Sequence, residues 1–399
     1  MNELQLPDGT RLLHVGPHKT GTTALQGALA QAREGLPKHG VTYPGNKRQH
    51  AAAARAIVGG KGPKGDPKPS LRDWDLLVDQ VNAAGEKKVI VSSESFANAE
   101  TETARLVVEK LGGSRVHVLV TLRPLTKIMP SAWQQYVREG LLTSYDDWLD
   151  GMLNQAPYTR PTPSFWMRHR HDVLIERWAS VVGPHNLTVV VLDETDRSMI
   201  TRTVEQLVGL PAGFLVPEPG LSNRSLTGGE IELVRQLNSV FKRNNWSDDF
   251  YRTFIRYGMT RYLQATHQPG KDEPQITTPG WALASAAQIG AESADKIATL
   301  GVRVIGDLAS LGARPERAKD EGVVPGTPVV PVSVARDAVT GTIAAGLSKL
   351  AATQEPSPGL PALNSIPTRD LARILLRRLR KRARRSIRTI RPVLSRRHH

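Results

Sequence analysis

The sequence predicts an α/β fold, a three-layer α/β/α arrangement around a central, mostly parallel sheet, followed by a C-terminal linker and a basic amphipathic helix. Three observations point there. Four short runs rich in Val, Ile and Leu lack strict polar alternation, as strands buried on both faces do: Arg11–Val15, Val89–Ser93, Val116–Leu122 and Leu187–Leu192. Helical patterns long enough for crossovers separate them, which favours a sheet covered on both sides. Finally, the first strand runs through a glycine-bounded loop into a helical stretch, a junction typical of this class.

Taken in order, the helical patterns cover Thr20–Ala32, Leu71–Ala84, Ser131–Glu139, Phe165–Val182, Ser198–Val208 and Gly228–Asn244. Thr227 with Glu230 three residues later forms a capping-box signature for the last. The Gly/Pro/Lys-rich segment 59–69 reads as a mobile loop near the open edge of a site. Residues 1–312 read as one α/β domain and 313–368 as a Pro-rich linker holding a short helix, Ser333–Ala352. Residues 369–399 form a basic tail.

Hydrophobic content of 39% and seven tryptophans suffice for a sizeable core in 399 residues. The chain has no cysteine, which excludes disulfides, thiolate metal sites and cysteine nucleophiles. The polar N-terminal segment lacks an apolar signal core, and no stretch approaches the ~18 apolar residues of a membrane span. A cytoplasmic protein is expected, touching a membrane at most peripherally from the inner face. The net charge of +15 is unevenly placed: residues 369–399 hold thirteen Lys/Arg against Asp370, giving +12 and leaving about +3 for the rest. Leu371, Ile374, Leu375, Leu379, Ala383, Ile387 and Ile390 recur at helical spacing between the arginines. Anionic lipid is the favoured partner of that face, with a disordered, merely solubilising tail as the plain alternative; nucleic acid is unlikely, since no recognition motif or interleaved aromatics accompany the charge.

The chemistry concentrates in His14-Val15-Gly16-Pro17-His18-Lys19-Thr20-Gly21-Thr22-Thr23. A strand, a Gly-rich turn and a helix N-terminus aim free N–H groups and a positive dipole end at one place. Gly16 and Gly21 have Walker A spacing, but the lysine is Lys19, inside the loop, and Thr22 occupies the usual lysine position. ATP hydrolysis is therefore the weaker reading. A second element is Arg123, ending a strand, with Ser131 eight residues later on the following helix. A guanidinium there suits a phosphate, and a surface ion pair is the plain alternative.

Together the two elements resemble those of sulfotransferases that use 3′-phosphoadenosine 5′-phosphosulfate (PAPS), particularly bacterial sulfotransferase-like proteins. The resemblance covers most of residues 11–312, and these two motifs carry it. It implies that Gly16, Lys19, Thr20, Gly21, Thr22 and Thr23 bind the 5′-phosphosulfate, residues 20–23 through backbone and hydroxyl donors, with Lys19 also stabilising the leaving phosphate. It implies that Arg123 and Ser131 bind the 3′-phosphate and that a late basic segment, here Arg224, closes over it. The Gly-x-x-Gly-x-x-Lys of the cytosolic branch is absent.

Sulfonate transfer needs positioning, charge stabilisation and a base, and no metal is expected. Glu94 ends the second strong strand and so faces the same crevice; the resemblance to carbohydrate sulfotransferases makes it the first choice of base. His18, inside the loop, is the other candidate, as a donor to the sulfonyl oxygens or as the base itself. His14 reads as a core histidine and His50 as an acceptor-pocket residue. Arg168-His169-Arg170-His171-Asp172 reads as a solvated or substrate-facing basic turn, and Asp193 and Glu194 as structural or as ion-pair partners at the crevice rim. The expected activity is sulfonate transfer from PAPS to a hydroxyl of a carbohydrate or glycolipid. The rivals are a P-loop nucleotide kinase or NTPase, and a non-catalytic, membrane-associated nucleotide-binding protein.

Overall fold

A computed structural model of the chain describes residues 4–60, 62–158, 160–217, 224–270, 273–314 and 330–354. Six strands form one sheet: β1 (Arg11–Gly16), β2 (Val41–Thr42), β3 (Lys88–Ser92), β4 (Val116–Leu122), β5 (Leu187–Val191) and β6 (Arg303–Ile305). Their order is β2-β3-β1-β4-β5-β6 and every pairing is parallel. All residues of β1, β3, β4 and β5 are buried, which is why their sequences show no polar alternation.

The helices are α1 (Thr22–Ala32), α2 (Ala51–Val58), α3 (Leu71–Asn82), α4 (Thr101–Leu111), α5 (Leu125–Arg138), α6 (Tyr145–Leu153), α7 (Ser164–His169), α8 (His171–Val182), α9 (Met199–Val208) and α10 (Gly228–Arg243). Next come α11 (Asp248–Phe250), a π-helical stretch Tyr251–Thr260, α12 (Arg261–Thr266), α13 (Gly280–Thr299) and α14 (Val332–Gln354). Successive strand residues point to opposite faces. Leu12, Ile90, Leu119 and Val190 pack with Leu25 and Leu29 of α1 and Val204 and Leu207 of α9. Leu13, Val91, Val118 and Val189 face the other way, onto Trp74, Val107 and Trp178 of α3, α4 and α8. These are the three predicted layers. A separate helical core, around Trp133, Trp148, Phe165 and Tyr251, unites α5, α6, α7, α10 and the π-helical stretch.

Three local expectations change. The helix expected from Ser131 begins at Leu125 and runs through Pro130, accepting the loss of one backbone bond. Phe165–Val182 breaks at Arg170 (ψ 88°) into α7 and α8. Within the segment 59–69, residues 64 and 66 are tied down rather than loose: Asp66 pairs with Arg252 and Arg256, and the Lys64 ammonium lies over the Tyr251 ring. The capping box at Thr227 and Glu230 forms as expected. One compact unit spans Met1–Gly346, so it extends past residue 312 and includes the start of α14, where Val334 and Ala338 join the helical core. The second unit is Leu347–His399. The basic tail 369–399 and most of the linker sequence lie outside the described residues. Among those described, no helix is long and apolar enough to cross a membrane.

Candidate functional site

The loop between β1 and α1 lies mid-sheet, with β3 on one side and β4 on the other. Gly16 (φ 81°) lies against the following Glu94 segment: a Cβ there would come 2.8 Å from Glu94 Cβ and 3.0 Å from its Cα. Gly21 (φ 73°) forms the N-cap of α1 and supplies no side chain. The first turn of α1 contains no acidic residue, so its N-terminal N–H groups, at Thr22 and Thr23, are left without a side-chain cap. Lys19 is held at φ 69°, a left-handed conformation that costs a non-glycine residue about 1–3 kcal/mol. Burial, with the field of Arg138, brings its ammonium down to about 8, partly offset by Glu139 and Glu94. No hydrogen bond or ion pair links that ammonium to another described residue.

Beneath the loop runs a buried polar chain. Thr20 Oγ1 donates to Pro17 O (2.6 Å) and meets Thr121 Oγ1 at 2.7 Å. Thr121 lies 3.4 Å from His14 Nε2, and His14 Nδ1 lies 2.8 Å from Ser92 Oγ. Gln26 donates both to Ser92 Oγ (3.2 Å) and to Glu94 Oε2 (3.0 Å). The chain couples loop conformation to the Glu94 carboxylate. It also corrects one expectation, because the Thr20 hydroxyl is consumed below the loop and only its backbone can face an anion. His14 is the core histidine anticipated, its burial holding it at about 4 and hence neutral.

On the β3 side, Ser93 caps the short turn Glu94–Asn98 and sets Glu94 at the edge of a cleft of about 790 Å³. His18 Nε2 lies 4.0 Å from Glu94 Oε1. Burial, then the charges of Arg168, His169, Lys19 and Arg55, push His18 well below the usual histidine range, so it is neutral at neutral pH. Its buried Nδ1 has no partner among the described residues. The cleft wall carries six arginines, Arg48, Arg55, Arg138, Arg168, Arg256 and Arg261, against Glu94 and Glu139. Of these only Arg168 belongs to a segment singled out in the sequence. The others come from the loop between β2 and α2, from α2, α5, the π-helical stretch and α12, and no sequence spacing brings them together.

The β4 side is paired within itself. Arg123 at the end of β4 pairs with Glu194 through Nε (2.9 Å) and Nη2, and Lys127 reaches the same carboxylate at 3.6 Å. The Ser131 hydroxyl donates back to Ile128 O at 2.9 Å. Asp193 closes a turn, accepting from the Thr195 N–H and hydroxyl. Arg224 needs a plain correction. Its guanidinium makes five hydrogen bonds, to His267 O, Ser225 O, Leu263 O and both oxygens of the fully buried Glu230. A guanidinium has five N–H donors, so none is left for a phosphate. Arg224 anchors the capping box.

Two further expectations are overturned by burial. His50 does not line the cleft: its Nε2 lies 3.0 Å from Pro44 O and its Nδ1 accepts from Ser92 N–H (3.1 Å), tying α2 to β3. The basic turn at 168–172 is mostly interior, since the break at Arg170 turns His169, His171 and Asp172 inward; only Arg168 reaches the cleft. Asp172 is locked by Arg170, Lys296 and Ser293.

No protein-family model matches the chain, and no curated protein matches it. Among solved structures it is similar to a crystal structure of a sulfotransferase from Alicyclobacillus acidocaldarius, with 18% identity over 61% of this chain and 94% of that one and a TM-score of 0.38.

Proposed function

We propose that this protein transfers a sulfonate group from PAPS to a hydroxyl of a carbohydrate or glycolipid acceptor. The observation that carries the reading is Lys19, an ammonium without a described partner, held in a strained loop conformation beside an uncapped helix N-terminus and within electrostatic reach of Glu94. The donor supplies a sulfonate on a phosphate leaving group, so transfer makes one sulfur–oxygen bond to the acceptor and breaks the one to phosphate. Lys19 and the N–H groups of Thr22 and Thr23 hold negative charge at that end. Glu94, oriented by Gln26, takes the acceptor's hydroxyl proton. His18 arrives neutral and can donate one hydrogen bond without adding charge.

The cradle fits a phosphosulfate, because its cation and N–H groups are uncommitted. The second anchor fits a 3′-phosphate only if the ligand displaces Glu194 from Arg123 and Lys127. Calorimetry with 3′-phosphoadenosine 5′-phosphate and with ATP, on wild type and Arg123→Ala, tests the reading. Preference for the 3′-phosphorylated nucleotide that disappears in the variant is expected. Equal binding of ATP would point to the NTPase alternative.

A further inference from the structure

The cleft beside Glu94 contains more positive charge than its own walls can balance. Among the described residues six arginines line it with two glutamates, and the balance concerns five of the six, since Arg48 is engaged elsewhere. Asp66 neutralises Arg256 at 2.9 Å, and Arg168 Nε bonds only the neutral Asn98 amide, at 2.6 Å. Arg55, Arg138 and Arg261 make no side-chain hydrogen bond or ion pair with another described residue. Arg138 Nε is moreover buried with no acceptor among the described residues, and burial, with Arg256, draws this guanidinium below the usual arginine range, partly offset by Glu139. Glu139 does not relieve it by contact: its carboxylate accepts from Gln135, at 3.1 Å. Arg55 is half-buried and Arg261 exposed, so water still serves them; the buried Arg138 nitrogen without an acceptor is the costly one, and a ligand that brings negative charge relieves it.

The wall that carries this charge extends beyond the phosphosulfate loop and does not include the Arg123 anchor. Arg123, Thr22 and Thr23 are not among the residues lining this cleft, whose wall is built from the Glu94–Asn98 turn after β3, from α2, α7 and the C-terminal end of α5, and from the π-helical stretch with α12. The rare π-helical stretch Tyr251–Thr260 contributes Arg256, Tyr257 and Thr260 to the wall, and such stretches gather at functional sites.

We infer that the acceptor is itself an anion, a hydroxyl-bearing glycan that already carries carboxylate, sulfate or phosphate groups, gripped by Arg55, Arg138 and Arg261 while Glu94 faces the reacting hydroxyl. The inference rests on the transfer reading for its word acceptor, but not for the charge of the ligand. Planar guanidinium forks select such oxyanions over neutral sugars.

The test is calorimetry on the full chain with saturating 3′-phosphoadenosine 5′-phosphate, using a chondroitin sulfate tetrasaccharide, trigalacturonate, and neutral maltotriose. Wild type is compared with the double variant Arg55→Ala/Arg261→Ala, both side chains being free of structural partners among the described residues. At least one charged glycan is expected to bind ten-fold or more tightly than maltotriose. The double variant is expected to lose about ten-fold for the charged glycan while keeping its nucleotide affinity. The basic tail is common to both proteins, so any contribution from it cancels. An unchanged affinity for charged glycan in the double variant, or no preference over maltotriose, overturns the inference. So does weakened nucleotide binding in that variant, which would give these arginines to the donor. Charged-glycan binding that depends on Arg55 and Arg261 in a protein unable to bind the nucleotide would instead sink the transfer reading and leave the anion-binding cleft standing.

Discussion

The two flanks of the loop are built from the same kinds of residue and are in opposite states. On the β4 flank Arg123 and Lys127 share Glu194, and the Ser131 hydroxyl is satisfied within its own helix. On the flank that opens to the cleft Arg55 and Arg261 have no described acid to pair with, Arg138 feels Glu139 without an ion-pair contact, and Lys19 sits between the flanks uncommitted. A self-paired flank is stable without ligand and exchanges partners when one arrives. An unpaired flank stores repulsion that a ligand relieves. Presence of arginine in a strand-end motif is therefore a weaker sign of waiting affinity than absence of a carboxylate beside it.

The sharpest way to break this comparison is chemical. Glu94→Gln keeps the carbonyl that accepts from Gln26 and removes the proton acceptor, so turnover should fall by about 10²–10⁴-fold with nucleotide affinity retained. Loss of both together would make Glu94 a binding residue of the donor. Arg224→Ala should leave the buried Glu230 without its cation and destabilise the protein by about 3–5 kcal/mol in a denaturation midpoint, with nucleotide affinity unaltered in the folded fraction. A selective affinity loss without destabilisation would return Arg224 to the phosphate site.

Milder effects follow from titration and from the rim pair. Lys19 is depressed to about 8 by burial and Arg138, and an anion binds its protonated form. Affinity for 3′-phosphoadenosine 5′-phosphate should thus hold steady below pH 8 and fall above it, approaching about ten-fold per pH unit. A flat profile to pH 10 would remove Lys19 from the anion site. Smallest of all, Glu194→Gln weakens the competitor for Arg123 and should tighten nucleotide binding by about two- to five-fold, the scale of a half-exposed ion pair. Weaker binding in that variant would mean that Glu194 orients Arg123 for the ligand.

Much of the architecture was legible in residues 11–192. Strands buried on both faces announce themselves as unbroken Val/Ile/Leu runs, and all four predicted runs became neighbours in one sheet. The loop was legible for the same local reason: strand, glycines and helix are contiguous in the chain. Arg224 was misread because its five acceptors come from residues 225, 230, 263 and 267, a closure that only packing reveals. His50 and the pair His169 and His171 were misread likewise, since a polar side chain gives no hint along the sequence of whether its partner is water or a backbone group.

By itself the sequence determined the α/β class and the strand–loop–helix junction at Gly16–Thr23, because each rests on periodicity or on residues a few positions apart; the anion cradle and the base proposed there start from the same local reading. Tertiary structure alone decided which cations remain free. Pairing depends on distances of about 3 Å between residues such as Asp66 and Arg256, far apart in the chain, and a net charge counted along the sequence is blind to them. The excess of guanidinium at the mouth of the loop, and with it the charge of the ligand it awaits, exists only once α2, α5 and the helices after Asp248 have converged on Glu94.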